Sequence, residues 1–247
     1  MKKCFLFPAA FIIIINIFVI SCSLMGGDDS EVNLPDVPLS DDGKLLTESA
    51  KYWRKKVAEF RTENPEIEPG GIIFLGDSIT ERAPFEEMFP NRRIINRGIG
   101  GDKIGGWKYY GLIDRMDVSV YDIEPSRLFI MIGINDIVYA HTPWSEMKDG
   151  VDRLFEDIKE NIPGVEVYIL STLPARGTFA KYNTDVKKLN RFLKKKAEKF
   201  RFRFVDMYEY FCDDEGKLKE KYAADALHLN RRGYRVWEKI NLPYVYK

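Results

Sequence analysis

Ser78 stands in Gly76-Asp77-Ser78-Ile79-Thr80, directly after the apolar run Ile72-Ile73-Phe74-Leu75. Late in the chain comes Asp225-Ala226-Leu227-His228, an acid three positions before one of only two histidines. A serine hydroxyl is a poor nucleophile until a base takes its proton, and that base needs a carboxylate to fix its tautomer. Taken singly, Ser78 reads as a helix N-cap and His228 as an ordinary core or surface residue. Together, a serine at the end of a buried strand and a late Asp-x-x-His meet the requirements of nucleophilic acyl transfer. Asp77 reads as a partner of nearby backbone rather than as a reacting group.

Two further segments carry donors for a developing oxyanion. The first is Asn96-Arg97-Gly98-Ile99-Gly100-Gly101-Asp102. It is not a dinucleotide loop, because Lys103 stands where the last glycine of Gly-x-Gly-x-x-Gly belongs. Gly98 is expected to let backbone approach a reacting oxygen and to offer its N–H, with Asp102 capping a following helix. The second segment is Gly133-Ile134-Asn135-Asp136, where Asn135 supplies a neutral side-chain N–H donor. His141, beside Thr142-Pro143, reads as a loop residue. Two histidines, no His-Glu-x-x-His and no paired cysteines leave no metal site to expect, and no cofactor is called for.

Elements with alternating strand and helix signals must position these segments. Strands are expected at 71–75, 93–96, 127–132, 165–170 and 203–206, and helices at 48–63, 103–116, 144–161 and 182–200, the first with Thr47 as N-cap. A last helix follows Asn230, its N-cap, with Tyr234, Trp237 and Ile240 as apolar positions. Several strands are continuous apolar runs, as expected when helices cover both faces. The β-α-β-α order predicts a parallel sheet in a three-layer α/β sandwich, with ligands beyond the carboxyl ends of the strands. Every segment singled out above falls there. The helix at 182–200 buries Val186, Leu189, Leu193, Ala197 and Phe200, and its lysines and arginines form a solvated outer face.

With the four segments in this order, the chain resembles the SGNH subgroup of GDSL-type hydrolases over roughly residues 70–240. That family's serine, glycine, asparagine and histidine map onto Ser78, Gly98, Asn135 and His228, with Ile79 where the family name has leucine. The Gly-x-Ser-x-Gly elbow of α/β-hydrolases is absent. The resemblance implies a flavodoxin-like three-layer α/β/α sandwich with a central five-stranded parallel sheet. It also implies a serine ester hydrolase: Ser78 attacks, His228 serves as base and then acid, and Asp225 orients the imidazole. The N–H groups of Ser78 and Gly98 and the Asn135 amide would hold the oxyanion. Within the family the likeness is to acetylhydrolase-like members, carried by residues 96–102 and 227–237. This implies removal of acetyl or other short acyl groups from glycans. A lysophospholipase is the second reading, and a non-catalytic surface-binding lipoprotein the third. Trp107, Tyr109 and Tyr110 are candidates to stack on a sugar ring, with core packing expected for at least two of them.

The ends and the composition set the context. Lys2 and Lys3 precede an almost wholly apolar stretch, 5–20, and Val19-Ile20-Ser21-Cys22 resembles a bacterial lipobox. Residues 1–21 are therefore expected to be an export signal. Cys22 is expected to carry lipid and hold the protein at a membrane, facing outward. An uncleaved anchor helix is the alternative. Residues 22–43, acidic and without periodicity, read as a tether, and 44–247 as one domain. Without residues 1–21 the chain has 36 basic against 38 acidic residues, a net charge of −2, which argues against nucleic acid as a partner. Cys212 has no expected partner and reads as a small buried apolar residue.

Overall fold

The computed structural model describes residues 44–105 and 110–247. The expected signal, Cys22, the tether, Trp107 and Tyr109 lie outside the described residues.

Five strands form one parallel sheet: β1 (Ile72–Gly76), β2 (Ile94–Gly98), β3 (Arg127–Met131), β4 (Glu166–Leu170) and β5 (Arg203–Val205). Their order is β2-β1-β3-β4-β5. Between and around them run α1 (Lys44–Glu63), α2 (Ser78–Glu81), α3 (Phe85–Met88), α4 (Met116–Ser119) and α5 (Ile134–Val138). The longer α6 (Trp144–Asn161) and α7 (Asn183–Phe200), the short α8 (Tyr208–Phe211) and the last helix α9 (Arg231–Val245) complete the set.

Side chains alternate across the pleat and so feed two separate cores. Ile73 and Leu75 of β1, with Leu128 and Ile130 of β3, meet Val151, Leu154 and Phe155 of α6 and Val186, Leu189 and Leu193 of α7. On the other face Phe74, Phe129 and Tyr168 stack across neighbouring strands at 4.4 and 4.5 Å between ring centroids. Trp237 of α9, wholly buried, covers that ladder. A sheet covered on both sides in this way is the three-layer α/β/α sandwich expected from the continuous apolar strands. A third, smaller cluster joins Trp53, Val57 and Phe60 of α1 to Ile99 and Val118.

The chain runs from β1 outward to β2 on one side, then returns to β3 on the other. This reversal opens a crevice beyond the carboxyl ends of β1 and β3, where such sheets hold their ligands. Ser78 follows β1, the loop 99–102 follows β2, and Asn135 follows β3.

Two expectations at the helix level are corrected. Thr47 lies inside α1, which begins at Lys44, and so is not its N-cap. Among the described residues of 103–116 the expected helix is not formed: residues 102–105 are irregular, and Leu112–Arg115 (a 3-10 turn) and the start of α4 are the helical parts described. Gly105 has φ +84°, and a side-chain carbon there would lie 2.6 Å from the Gly111 Cα. The chain thus doubles back, with the Leu112 and Ile113 N–H groups donating to the Lys103 and Ile104 carbonyls at 2.8 and 3.2 Å. Closely packed glycines took this segment out of the helix that its apolar spacing favoured.

Gly98, the last residue of β2, lies under α2. An added Cβ would meet the Glu81 backbone nitrogen at 2.2 Å and its Cα at 2.6 Å. Because the obstacle is backbone, Gly98→Ala is expected to cost about 1–3 kcal/mol or more. Denaturant unfolding of the variant beside the parent checks this.

Candidate active site

Ser78 is the first residue of α2, and Asp77 caps that helix by accepting the Ile79 N–H at 3.0 Å. A helix's first N–H groups have no intrahelical acceptor, and the Ser78 N–H has no hydrogen-bond partner among the described residues. The Ser78 Oγ lies 2.8 Å from the His228 Nε2, joining residues 150 positions apart in the chain. The His228 Nδ1 lies 2.7 Å from the Asp225 Oδ2. With the carboxylate accepting the Nδ1 proton, the Nε2 lone pair is left to accept from the serine.

The acid and base share one tight turn. The other carboxylate oxygen of Asp225 accepts the Leu227 and His228 N–H groups, each at 2.8 Å. Partial burial pushes the Asp225 carboxyl up. The bonds from the His228 and Leu227 backbone and from the imidazole outweigh it and bring the pKa down to about 2. Asp225 is therefore ionised wherever the imidazole is neutral. Access falls from the acid to the nucleophile: the Asp225 side chain is 52% exposed and that of His228 18%, while Ser78 is buried. α9 follows the turn, with Asn230 as N-cap accepting the Gly233 N–H at 3.0 Å. The Tyr234 hydroxyl of α9 donates to the Ile79 carbonyl at 2.8 Å, which ties that helix to the nucleophile's own.

The donors around Ser78 differ in part from expectation. Asn135 is buried at the start of α5 and donates from Nδ2 to the Asp102 carbonyl at 2.8 Å, leaving one amide proton over. The role expected of Gly98 does not fit: its N–H donates to the Asn96 Oδ1 at 2.9 Å, and its Cα packs against Thr80 and Glu81. The Gly100 N–H is also engaged, by the Glu81 Oε2 at 3.0 Å. A Cβ built on Gly100 would lie 3.9 Å from that of Ser78, so the loop passes the nucleophile there. Next comes Gly101, with φ +79°, open space beside it, and an N–H without an acceptor among the described residues. Gly101 is the residue that sequence reasoning missed. Its signal was the Gly-Gly pair before Asp102, where only a glycine readily adopts positive φ.

Beneath the site lies a buried cluster of charge. Asp102 does not cap a helix. Its carboxylate meets the wholly buried Arg115 at 2.7 Å and accepts the Trp53 Nε1–H at 3.2 Å. Arg115 also donates to the Gly76 carbonyl at 3.1 Å and to the Ser119 hydroxyl at 2.9 Å. Asp136 accepts the Ile104 N–H at 3.0 Å. Burial, aided by the neighbouring carboxylates, pushes Asp77 up to about 7; burial likewise lifts Asp136 to about 6.

The remaining candidates stand apart from this chemistry. His141 is exposed in the loop after α5 and is bonded back to the Ile137 carbonyl at 3.1 Å. The Tyr110 ring stacks on Trp53 at 4.9 Å and carries the Arg54 guanidinium, a packing role. Cys212 is half-buried rather than fully buried, and burial raises its thiol. Among the described residues no group of His, Cys, Asp and Glu is arranged to hold a metal ion.

The raised Asp77 carboxyl has a sign that can be measured. Between about pH 4 and pH 7 the folded state keeps a proton that the unfolded chain has lost, so stability falls as pH rises through this window. Asp77→Asn, a neutral isostere, is expected to match the parent only below about pH 4, where the unfolded carboxyl also keeps its proton. At pH 8 it should melt several degrees higher, at ~2–4 °C per kcal/mol for a chain of this size. Thermal melts of both proteins below about pH 4 and at pH 8 provide the check.

Comparisons with known proteins agree with this fold. The family model for GDSL-like Lipase/Acylhydrolase matches residues 74–236, more than half of the chain. No curated protein matches. Among solved structures, a Streptococcus pneumonia protein assigned to platelet activating factor is 28% identical, with a TM-score of 0.74 over 82% of this chain and 96% of its own. An assigned acylhydrolase from Bacteroides fragilis is 25% identical, with a TM-score of 0.66 over 76% of this chain and 94% of its own. A GDSL-like lipase from Bacteroides thetaiotaomicron, at 23% identity, shares the fold with a TM-score of 0.66 over 77% of this chain and 97% of its own. A five-stranded parallel sandwich, a serine on the first strand's exit and a family match spanning every segment of the site lead to one conclusion: the chain belongs to the GDSL-like lipase/acylhydrolase family and is a hydrolase.

Proposed function

We propose that the protein is a serine carboxylic-ester hydrolase that removes acetyl or other short acyl groups, from carbohydrate, by a Ser-His-Asp mechanism. The observation that carries this reading is the continuous chain of hydrogen bonds from Ser78 through His228 to Asp225, at 2.8 and 2.7 Å. Ser78 Oγ attacks the ester carbonyl carbon as its proton passes to the His228 Nε2. Asp225, ionised, stabilises the imidazolium so formed. The negative oxygen is received by the Ser78 N–H, the free amide proton of Asn135 and the Gly101 N–H, which replaces that of Gly98 in this role. Collapse of the tetrahedral species expels the alcohol, which takes its proton from the imidazolium. His228 then activates a water that cleaves the acyl-serine and releases the carboxylic acid.

The choice of short acyl groups rests on the acetylhydrolase-like character of residues 96–102 and 227–237. The family match and the likeness to the Bacteroides fragilis acylhydrolase support an acyl-ester substrate. For location, the stretch ending at Cys22 supports an exported lipoprotein whose acyl chains insert into a membrane at ~0.8 kcal/mol per buried methylene.

Hydrolysis of p-nitrophenyl esters of increasing chain length is the deciding experiment. Turnover should collapse beyond butyrate, and a maximum at long chains would instead mark a lysophospholipase. Ser78→Ala is expected to lose several orders of magnitude in kcat, and Asn135→Ala ~10²–10³-fold. Asp225→Asn keeps the turn but favours the wrong imidazole tautomer, so a fall of about 10⁴-fold is expected. A Ser78→Ala protein as active as the parent would end the assignment. Lipidation is checked separately: labelled palmitate should enter the full chain and not its Cys22→Ala variant.

A further inference from the structure

The loop that passes Ser78 is held from outside the matched family region, by α1. Tyr52 and Trp53 are consecutive on that helix, and both precede residue 74, where the family match begins. The Tyr52 hydroxyl donates to the Glu81 Oε1, and the Glu81 Oε2 accepts the Gly100 N–H at 3.0 Å. Trp53 donates its indole N–H to Asp102 at the far end of the same loop. Gly101, whose N–H has no acceptor among the described residues, lies between these two anchored residues. Glu81 itself belongs to α2, the helix that Ser78 begins, so its carboxylate bridges nucleophile helix, loop and α1. Burial, then the bond to Glu81, pushes the Tyr52 phenol up to about 12, which keeps it a donor at neutral pH.

The rest of the contact leaves little slack. Asn96 donates to the Thr80 and Glu81 carbonyls at 3.1 and 3.0 Å, and Gly98 brings backbone against backbone below them. α1 is seated independently, by Arg97 on Glu63 at 2.9 Å and on the face of Phe60 at 4.3 Å. A hydrogen bond accepted by an ionised carboxylate is about twice as strong as a neutral one. Removing Glu81 would free Gly100, whose Cβ position lies 3.9 Å from that of Ser78.

We propose that Glu81 is a positioning residue, braced by Tyr52 of α1, which fixes the loop 99–102 so that the Gly101 N–H faces the developing oxyanion. This inference rests on the esterase reading. It makes α1 part of the machinery of the site rather than an appendage to the family fold.

The test uses the full chain and the variants Glu81→Ala, Glu81→Gln and Tyr52→Phe, with p-nitrophenyl acetate as substrate. A misplacement of the order of 1 Å lowers rates ~10²-fold, so Glu81→Ala should lose about 10–100-fold in kcat, with KM within about threefold. Glu81→Gln, which can still accept the Gly100 N–H, should recover most of the rate. Tyr52→Phe should fall between the two. The pH dependence of kcat/KM should keep its shape, because the Ser-His-Asp chain is untouched. Independently of turnover, the Gly100 amide proton should be protected from exchange in the parent and in Glu81→Gln, and exposed in Glu81→Ala. An unprotected Gly100 amide in the parent would overturn the clamp. So would a Glu81→Ala kcat within twofold of the parent, or equal losses in Glu81→Ala and Glu81→Gln that track a common fall in Tm. A parent that hydrolyses no ester and takes up no fluorophosphonate would overturn the esterase reading instead, and the amide measurement would still decide the clamp.

Discussion

A single guanidinium, wholly removed from water, lies beneath the site. Arg115 reaches the last carbonyl of β1, the carboxylate of Asp102 in the loop after β2, and the Ser119 hydroxyl of its own helical segment. Burying an arginine is costly unless its charge is paired and its protons are satisfied, and removing one partner of such a pair typically costs ~3–5 kcal/mol. The two strand exits that flank Ser78 therefore cannot separate without leaving an uncompensated charge. Such a bond contributes less to net stability than to holding one arrangement against alternatives.

The acid–base turn is built on the opposite principle. Asp225 and His228 need no distant support to find each other, because Asp225 binds the turn's own N–H groups with one oxygen and the imidazole with the other. What the fold supplies is the approach of that turn to α2, through the seating of α9 on the aromatic ladder and the Tyr234 bond to Ile79. The site is thus a joint between a locally complete turn and a nucleophile helix locked from below.

Much of this was legible in the sequence, and the failures have physical reasons. The strands were visible because burial on both faces leaves unbroken apolar runs. Residue 78 stood out because a small polar residue ended such a run. α6 was read at its observed bounds from its helical period. The segment 103–116 misled because its apolar spacing fits a helix, while the close contact of Gly105 with Gly111 depends on a tertiary fold-back that no local pattern reports. Gly98 and Gly101 could not be told apart from composition alone. Their difference lies in which N–H is already bonded: Asn96 takes that of Gly98, whereas that of Gly101 has no acceptor among the described residues. Tyr52 carries no local signal either: in the sequence it is one aromatic among the charges of an amphipathic helix.

The span of 150 residues between serine and imidazole also has a consequence in time. A ribosome adds roughly 5–20 residues per second. For many seconds after the nucleophile has been made, the nascent polypeptide carries an alcohol with nothing to deprotonate it. On the proposed mechanism, reactivity waits for the C-terminal stretch of the chain and the docking of its last helix. A chain cut short before that point would lack the base, and with it the helix whose Trp237 covers the aromatic ladder.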